Sequence, residues 1–135
     1  QYLRNKYNVN KAYLCIGQVV GNESLYATLQ EYGYILIFKP TLERKEGEKV
    51  IVKGNVDAEL VLHTMVEYQR YDKALLVTGD GDFYCLVDYL IKQEKLLKLM
   101  VPNEKKFSSL FRKVMSHVVF MNNLKEKLEY RKDPK

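Results

Sequence analysis

Thr78-Gly79-Asp80-Gly81-Asp82 follows directly on the apolar run Ala74-Leu75-Leu76-Val77, so two carboxylates stand one residue apart where a strand hands over to a helix. That edge is where α/β folds place ligands. Carboxylates this close repel one another, and a divalent cation that takes oxygen ligands is the natural means of neutralising them. Asp57 opens the preceding helix, immediately after the preceding strand, and reaches the same edge if the two strands are neighbours. The competing reading is that Asp57 and Asp82 cap helix N-termini, an arrangement favourable by roughly 0.5–2 kcal/mol each. Gly79 and Gly81 permit a tight turn and let a phosphate approach backbone N–H groups at the helix start.

The elements that must position these carboxylates follow from periodicity. Tyr13-Leu14-Cys15-Ile16, within Lys11–Val20, reads as a buried strand after a short polar segment, Leu3–Tyr7, of a kind that can end a helix. Asn22 offers an N-cap to a helix that stops at Gly33, and Tyr34–Phe38 forms a second strand closed by Pro40. Residues 41–49, rich in both charges, read as a mobile loop before the brief strand Val50-Ile51-Val52. Asn55 caps a helix whose Ala58, Val61, Leu62 and Met65 recur at helical spacing and predict one apolar stripe. Phe83, Leu86, Val87 and Leu90 repeat that spacing after the acidic turn. Leu96–Val101 is a further strand, Leu110–Val114 a short helix, Val118–Met121 an edge strand and Leu124–Tyr130 a terminal helix. Strands separated by helices predict an α/β domain with a mainly parallel sheet.

With 135 residues, 47% of them hydrophobic and 29% charged, the chain has the size of one domain and can bury a core. Its net charge of +5 is uneven. Residues 92–113 carry seven Lys/Arg against two Asp/Glu, whereas residues 1–91 carry ten against twelve. A basic flank beside an acidic cluster suits a site that draws in a polyanion; a solvated lysine-rich face is the plainer alternative. Lys105, Lys106, Arg112 and Lys113, which follow the strand after the acidic turn, are the candidates for nucleic-acid backbone contacts. Cys15 and Cys85 stand seventy positions apart, which excludes a disulfide framework and a CxxC metal pair and favours buried, reduced thiols. Cys85 has no placed histidine partner for nucleophilic work, and His63 and His117 lack metal-ligand spacing. The absence of a long apolar run or leader-like start predicts a protein away from membranes, in the cytoplasm. No P-loop signature occurs, and a dehalogenase-like phosphatase is set aside because the chain has no early D-x-D.

Lys53-Gly54-Asn55-Val56-Asp57 followed by Thr78-Gly79-Asp80-Gly81-Asp82-Phe83, with Gly33-Tyr34 ahead of the second strand, resembles the NYN (LabA-like) branch of the PIN-like nucleases. The resemblance covers nearly the whole chain. It implies an α/β/α three-layer sandwich and a Mg²⁺- or Mn²⁺-dependent endoribonuclease acting on single-stranded or structured RNA. By position, Asp57, Asp80 and Asp82 become catalytic metal ligands, Thr78 the hydroxyl that orients a carboxylate, and Lys53 a phosphate contact. Lys105, Lys106 and Arg112 would join Lys53 and Thr78 in holding substrate, and a homodimer stays open. The family also places an aspartate at the end of a first strand, in an I-D-G/A-x-N context, whereas no aspartate precedes Asp57 here. The expectation is therefore a single domain over residues 1–135 whose parent protein supplies that strand upstream. A non-catalytic RNA-binding or protein-interaction module on the same fold is the alternative.

Overall fold

The computed structural model describes residues 1–40, 42–47, 49–53 and 55–124, with backbone alone in 42–46 and 49–53 and at position 123. The elements in chain order are α1 (Tyr2–Tyr7), β1 (Ala12–Gln18), α2 (Glu23–Glu31), β2 (Tyr34–Pro40), β3 (Leu42–Glu46), β4 (Lys49–Lys53), α3 (Asp57–Val66), β5 (Ala74–Val77), α4 (Tyr84–Lys92), β6 (Leu96–Val101) and β7 (Val118–Phe120). Their alternation and parallel pairing make this an α/β fold. Two compact groups of elements divide the chain, the first essentially Leu3–Met65 and the second from Val66 onward.

In the first group β1 and β2 run parallel, in register from Ala12 opposite Tyr34 to Gln18 opposite Pro40, with α2 as the crossover. Tyr26 fastens that helix to both strands. Its ring is buried and meets Phe38 edge-on at 5.0 Å, while its hydroxyl accepts from Val19 N at 2.8 Å and donates to Gly17 O at 3.1 Å. A buried phenol needs that polar satisfaction as much as its apolar contact. Gly33, at φ +95, reverses the chain after α2. Asn22 stands at the N-cap position without a side-chain cap bond; instead Glu23 Oε1 accepts from Gly21 N at 3.2 Å.

Three expectations fail in this group. β1 is only half-buried, Tyr13 being 42% exposed, because its one hydrogen-bonded neighbour among the described residues is β2. The described residues of the expected 41–49 loop form a hairpin instead: β3 pairs antiparallel with β4, from Leu42 opposite Lys53 to Glu46 opposite Lys49, with Gly47 at φ +62 in the turn. Backbone groups make the ladder whatever the side-chain charge, and Val50-Ile51-Val52 supplies the β-forming partner. The apolar stripe of α3 faces outward, with Leu62 59% and Met65 39% exposed. Polar anchors orient this helix. Asn55 Oδ1 accepts from Asp57 N at 2.9 Å, and Lys39 both donates to Asn55 O and lies 3.5 Å from Glu59 Oε2.

The second group holds the deeper core. β6 lies between β5 and β7, parallel to both, and its Leu99, Met100 and Val101 are almost wholly removed from solvent. Phe83, Leu86, Val87 and Leu90 pack on one side as the spacing predicted, joined by Phe111 and Val114 from the 3-10 segment Ser109–His117. Each such side chain contributes roughly 1.5–3 kcal/mol by burial. The expected short helix 110–114 is thus a longer 3-10 segment, interrupted where Val114 leaves helical geometry. β7 is the expected edge strand. The predicted helix Leu124–Tyr130 lies, beyond Leu124, outside the described residues. Among the described residues, no helix is long and apolar enough to cross a membrane.

Candidate metal centre

Pairing between β5 and β6 runs one residue past Val77, where Thr78 N donates to Met100 O at 3.0 Å. The chain then leaves the sheet in a succession of local bonds. Asp80 N donates to Thr78 Oγ1 at 3.1 Å, Asp82 N to Asp80 Oδ1 at 2.9 Å and Phe83 N to Asp80 O at 3.2 Å. Asp80 therefore caps the 3-10 turn Gly81–Phe83 that leads into α4. Buried Phe83 fixes the other side of the turn in the core. Thr78 holds the turn through the main chain of Asp80. The cap consumes one carboxylate oxygen, and among the described residues Asp80 Oδ2 and both oxygens of Asp82 have no protein partner.

The expected tight turn forms, capped by Asp80. Gly79 and Gly81 are absent from the positive-φ positions, and the N–H groups of Asp80, Asp82 and Phe83 are spent inside the turn rather than offered to a phosphate. Space is what Gly81 requires: a Cβ there would stand 2.3 Å from Ser108 Oγ and 2.8 Å from Ser108 Cβ.

The segment that crowds Gly81 is the basic one. After β6, Asn103 Oδ1 accepts from Lys105 N at 2.9 Å, Asn103 O accepts from Lys106 N at 3.2 Å, and Asn122 Oδ1 accepts from Glu104 N at 2.8 Å. Ser108 N then donates to Gly79 O at 3.0 Å, and Ser108 Oγ accepts from Leu110 N at 3.2 Å. Residues 103–108 thus form a tethered strap against the acidic turn. Lys105, Lys106, Arg112 and Lys113 are all exposed, with the Lys113 ammonium 5.9 Å from the centre of the Tyr84 ring.

Asp57, half-buried, is the first residue of α3. Asp80 and Asp82 each offer a carboxylate oxygen, and these two lie within 4.8 Å of one another. The two are hard oxygen donors, which suit Mg²⁺, Mn²⁺ or Ca²⁺ rather than a thiophilic metal. Among the described residues no lysine or arginine pairs with Asp80 or Asp82, although Glu67 and Asp88 hold Arg70 and Lys92. Lys53 lies in β4, and its side chain is outside what the structure describes.

The remaining singled-out residues separate from this centre. Cys85 is exposed, contrary to the expected burial, because it occupies the solvent side of α4 opposite Leu86 and Val87. Cys15 is half-buried, and burial, then the negative charge of Glu59, pushes its thiol up. His117 Nδ1 is 3.2 Å from Ser116 Oγ. Sequence reasoning missed Asn103, Ser108 and Asn122. The Asn103–Lys105 bond is a local Asx turn that Pro102-Asn103 could have signalled, whereas Asn122 reaches Glu104 across eighteen positions with no local mark.

A family model described as NYN domain matches residues 1–122. No curated protein and no solved structure matches the chain at a significant level.

Proposed function

This chain belongs to the NYN domain family, a nuclease-type fold, and on that premise we propose that it is a metal-dependent ribonuclease hydrolysing RNA phosphodiester bonds endonucleolytically. The observation that carries this reading is the acidic turn after β5, in which carboxylate oxygens of Asp80 and Asp82 lie within 4.8 Å of one another while Asp80 Oδ1 keeps the turn closed. Two like charges at that separation oppose one another unless a cation intervenes. Asp80 and Asp82 would hold Mg²⁺ or Mn²⁺, which would supply an acidified water and charge stabilisation for the scissile phosphate.

The chain's own groups do the rest. Asp80 Oδ2 and the Asp82 carboxylate are open for ligation, while Asp80 Oδ1 keeps the turn closed. Asp57, at the start of α3, is assigned to the same metal on family position alone. Lys105, Lys106 and Arg112 draw the RNA backbone toward the turn by releasing its counterions. Thr78 steadies Asp80 through its N–H. Lys53 is assigned a phosphate contact on family position alone. The protein acts in the cytoplasm on this reading.

The test is cleavage of an internally labelled RNA, with a single-stranded and a hairpin portion, in Mn²⁺ or Mg²⁺ and in EDTA. Internal cuts that require the metal and disappear in Asp80→Asn are expected. Equal cleavage by wild type and variant would remove the assignment, and salt-dependent binding without cleavage would favour the non-catalytic module.

A further inference from the structure

Gly81 and Ser108 lie twenty-seven positions apart, and each denies the other freedom. A methyl group at Gly81 would fall inside the contact distance of both side-chain atoms of Ser108. The same serine donates its N–H to Gly79 O at 3.0 Å and accepts from Leu110 N at 3.2 Å, which starts the 3-10 segment carrying buried Phe111. A Cβ added at Gly79 would meet Lys106 O at 3.5 Å and Phe107 Cβ at 3.6 Å, ordinary contact distances, so the strap flanks the turn on both sides of Asp80. Phe107 is anchored in turn by Phe120 of β7, with ring centres 5.4 Å apart.

We infer that Ser108 is a positioning residue: it sets the backbone of the Asp80–Asp82 turn and joins it to the strap that carries Lys105 and Lys106. The inference rests on the metal-centre reading for its consequence, the pitch of two carboxylates toward one cation, but its geometry stands within β5, β6 and the segments that follow them. Sub-ångström displacement at Gly81 is expected to reach both flanking aspartates, because the cap bond from Asp82 N to Asp80 Oδ1 spans that residue. Supporting groups of this kind change metal affinity by about 10–100-fold.

The experiment compares wild type, Gly81→Ala, Ser108→Gly and the double variant Gly81→Ala/Ser108→Gly in the full chain. Backbone amide resonances of Asp80 and Asp82 are read without metal, and Mn²⁺ affinity is read by electron paramagnetic resonance. Gly81→Ala is expected to shift both amides and weaken Mn²⁺ binding by about tenfold. The double variant, which removes both Ser108 atoms that the new methyl meets, is expected to restore the amides and most of the affinity. Ser108→Gly keeps the N–H to Gly79 O and is expected to change either readout less than Gly81→Ala does. Unmoved amides in Gly81→Ala, or amides in the double variant no nearer wild type than in Gly81→Ala, would overturn the positioning role. Wild type without Mn²⁺ binding would instead overturn the metal centre, and the amide comparison would still decide the role of Ser108.

Discussion

The two ends of the β5–β6 pair handle charge in opposite ways. At the carboxyl end, Asp80 and Asp82 project from a turn whose hydrogen bonds satisfy its main chain and leave carboxylate oxygens open. At the amino end, Lys95 is enclosed: its ammonium donates to Tyr68 O and stands 4.1 Å from the Tyr68 ring centre and 4.7 Å from that of Tyr71. Tyr89 packs 6.2 Å from Tyr68, completing the aromatic group. The cation at one end is used up in holding the fold together, whereas the anions at the other end are held in place by the fold with ligand capacity unspent. Built charge therefore has two uses in one sheet, and the count of unsatisfied oxygens tells them apart.

That contrast predicts a clean separation of activity from stability. Asp82→Asn should abolish metal-dependent RNA cleavage while leaving the melting temperature unchanged or slightly raised, since it removes a repelling charge; a gel assay beside calorimetry checks both. Lys95→Ala should do the reverse. Loss of two cation–π contacts and a carbonyl hydrogen bond costs about 1–3 kcal/mol, read as a lower urea midpoint with unchanged turnover per folded molecule.

Smaller effects sharpen the same division. Replacing Lys105 and Lys106 together by Ala should flatten the dependence of log RNA affinity on log salt by about 1.4 if each meets one phosphate of a single strand. A filter-binding series across salt concentrations reads that slope, and an unchanged slope would take the strap out of the RNA path. The least of the effects is in the Tyr71 phenol, which burial and then the neighbouring Tyr68 charge hold above its ordinary value of 10.0. Because the folded state keeps this proton longer than the unfolded chain, its contribution is complete below pH 10.0 and is lost as pH rises through the higher folded value. Absorbance at alkaline pH should show that late ionisation in wild type and an earlier one once Lys95→Ala has loosened the cluster.

What the sequence by itself determined is the local chemistry. The D-G-D turn, the strand before it and the helix after it are consecutive, so their residue types and spacing carry the turn, its carboxylates and the buried face of α4. The bond by which Asn55 Oδ1 accepts from the first residue of α3 was legible for the same reason. Tertiary structure decided the rest. The β3–β4 hairpin depends on which backbone lies alongside Val50-Ile51-Val52, and the outward stripe of α3 depends on Lys39 meeting Asn55 and Glu59. Gly81 looked like a residue kept for backbone freedom or phosphate approach; it is kept for room, because Ser108 arrives from twenty-seven positions away. Local spacing encodes what a segment can do, while close contact between distant segments decides which of those capacities is held in place.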